Sequence, residues 1–134
     1  MERRVTLASV PEAPSQARAV VDDELRPLAR KIREDATLLV SELVTNAVRH
    51  VPASEHVQVE LRIRTERGRI RVAVSDPGGG FQPAPRLPTV AEGSGWGLYL
   101  VDRIADRWGV VSEERTEVWF EIDVHGDGDD PRSM

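Results

Sequence analysis

The sequence contains no cysteine, so it can hold no disulfide framework, no thiolate nucleophile and no cysteine zinc site, a usage that suits a reducing compartment. Lysine is almost as scarce. Of 18 basic residues only Lys31 is a lysine, and it is remote from every glycine cluster. A P-loop places a lysine on the phosphates directly after its glycines, and a eukaryotic-type kinase uses one on a strand after its glycine loop. Both devices are excluded, and any nucleotide handling falls to backbone amides, arginine and a metal. No apolar run approaches membrane-spanning length, and the opening MERRVTLASVPEA has too short an apolar stretch for a signal peptide. A cytoplasmic protein without a membrane partner is expected. There is no basic block either, and the net charge of -5 (23 acidic residues against 18 basic) makes nucleic acid a poor partner.

What is present fits one domain: 134 residues, 40% of them hydrophobic, can bury roughly two thirds of the surface of the unfolded chain. That domain is expected over residues 1–124, with the tail HGDGDDPRSM (125–134) disordered. The chain is organised around Leu38 to His50, LLVSELVTNAVRH. At roughly 100° per residue, Val40, Leu43, Val44 and Ala47 fall on one side of a helix and Glu42, Thr45, Asn46 and Arg49 on the other. One side packs, and the other can do chemistry. Glu42 and Asn46 are one turn apart, so a carboxylate that can take a proton neighbours an amide oxygen that can reach a hard cation.

Around this helix the pattern predicts an α+β order. Arg3 to Val10 alternates and suits either a short strand ending at Pro11 or an arm on a partner. Ser15 to Leu25 has Ala17, Val20, Val21 and Leu25 at helical spacing, with Ser15 available as N-cap and Pro27 limiting the far end. Val57 to Arg64 and Arg69 to Asp76 alternate strictly about the turn-compatible Glu66, Arg67 and Gly68, which predicts a hairpin. Leu98, Val101, Ile104, Ala105 and Trp108 mark a third helix. Strands near Gly109 to Glu113 and Thr116 to Val124 close the domain.

Two glycine stretches lie between the hairpin and the third helix. DPGGG, Asp76 to Gly80, ends a strand with a carboxylate and then supplies glycines where a flat ligand can come close to the backbone. GSGWG, Gly93 to Gly97, runs into a helix whose free amides and positive dipole end suit an anion. Leu98 stands where a dinucleotide GxGxxG would need its third glycine, so that fingerprint fails. The segment between them, Phe81 to Glu92, carries Pro83, Pro85 and Pro88 with almost no periodicity, which fits a movable flap.

ELVTNAVRH, DPGGG and GSGWGLYLV, in that order, resemble the N box and the two glycine boxes of the ATPase domain shared by DNA gyrase, heat-shock chaperones, histidine kinases and mismatch-repair proteins. LLVSELVTNAVRH and the short flap most resemble the anti-sigma-factor serine kinase branch, as in stand-alone actinobacterial ATP-binding regulators. The resemblance implies a two-layer α/β sandwich of the Bergerat type, with a mixed, mostly antiparallel sheet and three helices on one face. ATP would lie between the flap and the boxes. It further implies that Asp76 accepts a hydrogen bond from the adenine amino group, with Gly78 and Gly80 making room for the ring. Asn46 would ligate Mg2+, and Glu42 would be the general base. The glycine box of Gly93, Ser94, Gly95, Trp96, Gly97 and Leu98 would close on the nucleotide, with Arg49 and Arg86 as candidates for charge stabilisation.

By the same resemblance the partners are a sigma factor and an anti-sigma antagonist protein, and the protein is a homodimer. A sensor histidine kinase would need a phosphoacceptor histidine on an upstream helix, and none precedes the organising helix; His50 reads as a packing or hydrogen-bonding residue. Two functions stand at this stage. One is a serine/threonine kinase acting on an antagonist protein, and the other is a non-catalytic ATP-gated binding switch.

Overall fold

In the computed structural model of the chain, residues 1–49, 54–76, 95–112 and 115–124 are described. The flap at 81–92, Arg86, His50, Gly78, Gly80, Gly93, Ser94 and the tail at 125–134 lie outside them.

The described elements run β1 (Glu2–Ser9), α1 (Ala13–Glu24), α2 (Arg30–Arg49), β2 (Ser54–Glu66), β3 (Arg69–Asp76), α3 (Gly95–Ile104), β4 (Arg107–Ser112) and β5 (Thr116–Asp123). The strands form one five-stranded sheet in the order β1-β2-β3-β5-β4. This is the expected α+β sandwich with one refinement. Every described strand pair is antiparallel, where a mixed, mostly antiparallel sheet was expected. Of the two readings of the first segment, the strand holds: Leu7 pairs with Val59 and Thr6 with Glu60 inside the same chain.

Among the boundaries that differ from the sequence reading, three in the helices have a local reason. Helix α1 starts at Ala13, with Glu12 at the N-cap and a proline in its first turn, so Ser15 is inside the helix and caps nothing. Proline tolerates that position because the first turn's N–H groups have no intrahelical partner. Helix α2 begins at Arg30, well before the organising stretch. Its first turns carry little apolar signal and are instead supported by Arg30–Glu34 and Lys31–Asp35 pairs, both at 3.1 Å with i,i+4 spacing. Helix α3 ends at Ile104, and Trp108 belongs to β4. The helical spacing continues past the helix by coincidence, because strand alternation also turns Trp108 towards the helices. There its Nε1 donates to Asp102 on α3 at 3.0 Å.

The two faces of the sheet are chemically opposite. Towards the helices, Leu61, Ile63, Ile70, Val72, Phe120 and Ile122 are buried against Val21, Leu39, Val40, Val44 and Val101. The hairpin register that puts them there is set by a tight turn at Gly68, whose φ of 77° only glycine adopts easily. Arg18 on α1 donates to the Ser41 hydroxyl on α2 at 2.8 Å, tying the two helices.

Among the described residues no helix covers the outer face, which is latticed with ion pairs instead. Arg62 donates to Glu117 at 2.7 Å, Arg71 to Glu121 at 3.0 Å and Arg107 to Glu121 at 2.7 Å, and Arg107 also reaches Asp123. Partial burial opposes ionisation of Glu121, but the hydrogen bonds from Arg107 and Arg71 outweigh it and hold the carboxyl below its usual 4.5. A depressed carboxyl stabilises the fold fully above the unfolded value and loses that contribution as pH falls through the lower folded value. Glu121→Gln should therefore lower Tm at pH 7, and its Tm should fall less than the parent's when the pH drops below about 4.5. Thermal melts from pH 7 to pH 3 check this; parallel curves for the two proteins would contradict it.

Candidate functional site

Helix α2 turns its two sides as its spacing demands. Val40, Leu43, Val44 and Ala47 are all buried, while across the helix Glu42 and Thr45 are half-buried and Arg49 is exposed. Asn46 departs from a solvated face. It is only 7% exposed, because α3 and the end of β3 close over that part of α2. A polar side chain at this depth normally has an assigned job.

Its surroundings form a narrow cleft, lined from α2 by Leu43, Asn46 and Ala47, from the sheet by Val74, Asp76 and Val118, and from α3 by Leu98. Asp76 ends β3 at 4% exposure, a carboxylate in a slot whose other walls, apart from Asn46, are apolar. Thr116, 3% exposed, is its cross-strand partner on β5. Mostly apolar walls with a buried carboxylate acceptor suit a flat, largely apolar ring that carries an amino group. Helix α3 begins at Gly95, so Gly95, Trp96 and Gly97 form its first turn, whose free amides suit an anion.

Among the described residues no group of three or more His, Asp or Glu gathers to hold a metal. A cation at this site would take a hard oxygen from Asn46 and complete its shell with phosphate oxygens and water, which is how Mg2+ prefers to be bound. The donor set fits that ion.

Of the residues expected from sequence, Asn46, Asp76 and Leu98 line one cleft. Glu42 stands one turn before Asn46 on α2, outside the cleft's described walls, and Arg49 is one turn beyond on the exposed side. Leu43, Val74, Thr116 and Val118 were missed. The alternation of β5 put Thr116 and Val118 on the same face as Phe120, but only the pairing of β5 with β3 sets Thr116 beside Asp76. A larger depression of about 410 Å³ opens on the outer face among Arg62, Arg64, Arg71, Glu66 and Glu121. Its side chains are engaged in ion pairs with one another and with their neighbours.

Among described residues no helix is long and apolar enough to cross a membrane. A search of curated proteins finds no match. The family model described as a histidine kinase-like ATPase domain matches residues 5–122, from within the first strand to within the last. With a buried carboxylate, a buried amide and a glycine-rich helix start assembled inside that span, the chain belongs to the histidine kinase-like ATPase domain family.

Proposed function

We propose that the protein binds Mg-ATP and transfers its γ-phosphoryl group to a serine or threonine of an antagonist protein, acting as an anti-sigma-factor kinase that regulates transcription through its partners. Membership of the ATPase family supports the nucleotide. The kinase reading is carried by Glu42, half-buried one helical turn from Asn46, which lines the cleft. In this reading Asp76 accepts a hydrogen bond from the adenine amino group, and Leu98, Val74 and Val118 pack on the ring. The first-turn amides of α3 take the phosphates. Mg2+, when bound, neutralises phosphate charge, and Asn46 would hold it through its side-chain oxygen. Glu42 accepts the proton of the attacking hydroxyl as the new oxygen–phosphorus bond forms and the bond to the bridging oxygen of the departing ADP breaks.

Base reading is tested separately from chemistry. Asp76→Ala should weaken ATP binding by about 1.5 to 3 kcal/mol, roughly 10- to 150-fold, because a hydrogen bond to a charged acceptor is lost. Asp76→Asn should shift preference towards GTP, since an amide can donate to the guanine carbonyl where a carboxylate repels it. Calorimetric titration of both variants with ATP and GTP reads the two effects. Parent-like ATP affinity in Asp76→Ala would reject the base-reading role.

A further inference from the structure

On α2 the residues Lys31, Asp35, Leu38, Glu42, Thr45 and Arg49 form one stripe on the side opposite Val40, Val44 and Ala47. All but one of the six are polar. Lys31 and Asp35 pair at 3.1 Å, and Leu38, 40% exposed, interrupts the polar stripe one turn before Glu42. A single exposed leucine is ordinary on a protein surface. This one is set apart by its place, and by a second apolar feature on the other side of Glu42. There, between the start of α1 and the end of α2, lies a groove of about 290 Å³ lined by Pro11, Pro14, Thr45, Val48 and Arg49. Its two prolines bring no backbone N–H to the wall, and Val48 adds an isopropyl group. Glu42 is thus bracketed along its helix by apolar surface.

A hydroxyl that gives its proton to Glu42 is carried there by the acceptor's own chain, and a chain laid along α2 meets both features. A helix rises about 1.5 Å per residue, so Leu38 lies about 6 Å before Glu42 and Val48 about 9 Å beyond it along the axis. An extended chain covers those distances in about two and about three residues. We infer that the acceptor presents its serine or threonine in an extended segment with two apolar side chains, one about two residues to one side of the hydroxyl and seated on Leu38, the other about three residues to the opposite side and seated in the groove of Pro11, Pro14 and Val48. The inference rests on the kinase reading of Glu42 and adds to it the chemistry of the substrate. A charged side chain at either place would lose water against apolar surface without gaining a partner, which turns such segments away. Leu38 is a positioning residue. It touches the acceptor away from the reacting atoms, so its contact is the same before and during transfer and shows in KM rather than in kcat.

Synthetic peptides with one central serine, carrying leucine or aspartate at the two flanking positions in either chain direction, provide the test. At saturating Mg-ATP the protein should phosphorylate the doubly leucine-flanked peptide of one direction with a kcat/KM about tenfold or more above its aspartate counterpart. Leu38→Gln keeps a good helix former and adds no charge beside Glu42. It should raise KM for that peptide about tenfold with kcat and Mg-ATP affinity unchanged, and lose discrimination at the nearer position while keeping it at the farther one. Leu38→Met should retain the preference. Binding of the same peptides in Mg-ADP, read by fluorescence anisotropy, separates docking from transfer. Leucine-dependent binding that Leu38→Gln removes, with no transfer by the parent, would support the docking surface and take away the kinase reading. Equal transfer to leucine and aspartate peptides, or an unchanged preference in Leu38→Gln, would overturn the inference and leave the kinase reading standing. Peptides that are neither bound nor phosphorylated would overturn the inference as well.

Discussion

Glu42→Gln is expected to lower phosphate transfer to an antagonist protein by roughly 10² to 10⁴ while leaving Mg-ATP affinity within about a few-fold of the parent. Glutamine keeps the size of the side chain and an acceptor oxygen but cannot take a proton, so only a step that moves a proton should notice. Asn46→Ala supplies the contrast. Asn46 is buried in the cleft wall, and its loss should weaken Mg-ATP binding itself, with transfer falling chiefly because the nucleotide is no longer held. A helix face with a purely structural role predicts neither pattern, and an ATP-gated binding switch predicts only the second. Transfer is measured under saturating ATP for parent and Glu42→Gln. Equal rates, or a parent that binds ATP and phosphorylates no partner, would remove the kinase reading and leave the switch.

Phe120→Ala should destabilise the fold by about 3 to 5 kcal/mol, the range for emptying a buried phenylalanine site. Phe120 is fully buried on the helix-facing side of β5, between Val72 on β3 and Trp108 on β4 in the register. Against a typical total of about 5 to 15 kcal/mol, such a loss leaves little margin. It also reaches the site, because the next inward residue of β5 is Val118, a wall of the cleft. Urea denaturation should show a lower midpoint with an unchanged slope. A loss under about 1 kcal/mol would mean that the sheet closes over the gap and that the Val72–Phe120–Trp108 row is not the packed centre described.

The parts of this fold that show in the sequence are those whose pattern is local. Strand β3 runs from Arg69 to Asp76 as its alternation indicates, and the buried side of α2 is the side that Val40, Leu43, Val44 and Ala47 mark out. Where local pattern is weak or shared, the reading slips. Salt-bridged early turns of α2 carry no apolar stripe, and Trp108 satisfies a helical and a strand period at once. What depends on pairing is not legible at all. That β5 runs between β3 and β4, that Thr116 faces Asp76, and that β4 is left at the edge are settled by long-range register, which a single sequence does not encode locally. The depth of Asn46 follows from the same cause, since the spacing of α2 places it on a polar side that only the docking of α3 and β3 encloses.

Calorimetric titration of the parent protein with ATP, in the presence and absence of Mg2+, tests the central claim most directly. A saturable heat for ATP that strengthens with Mg2+ and weakens in both Asp76→Ala and Asn46→Ala is the predicted result. No heat for ATP or ADP at millimolar concentration would contradict it.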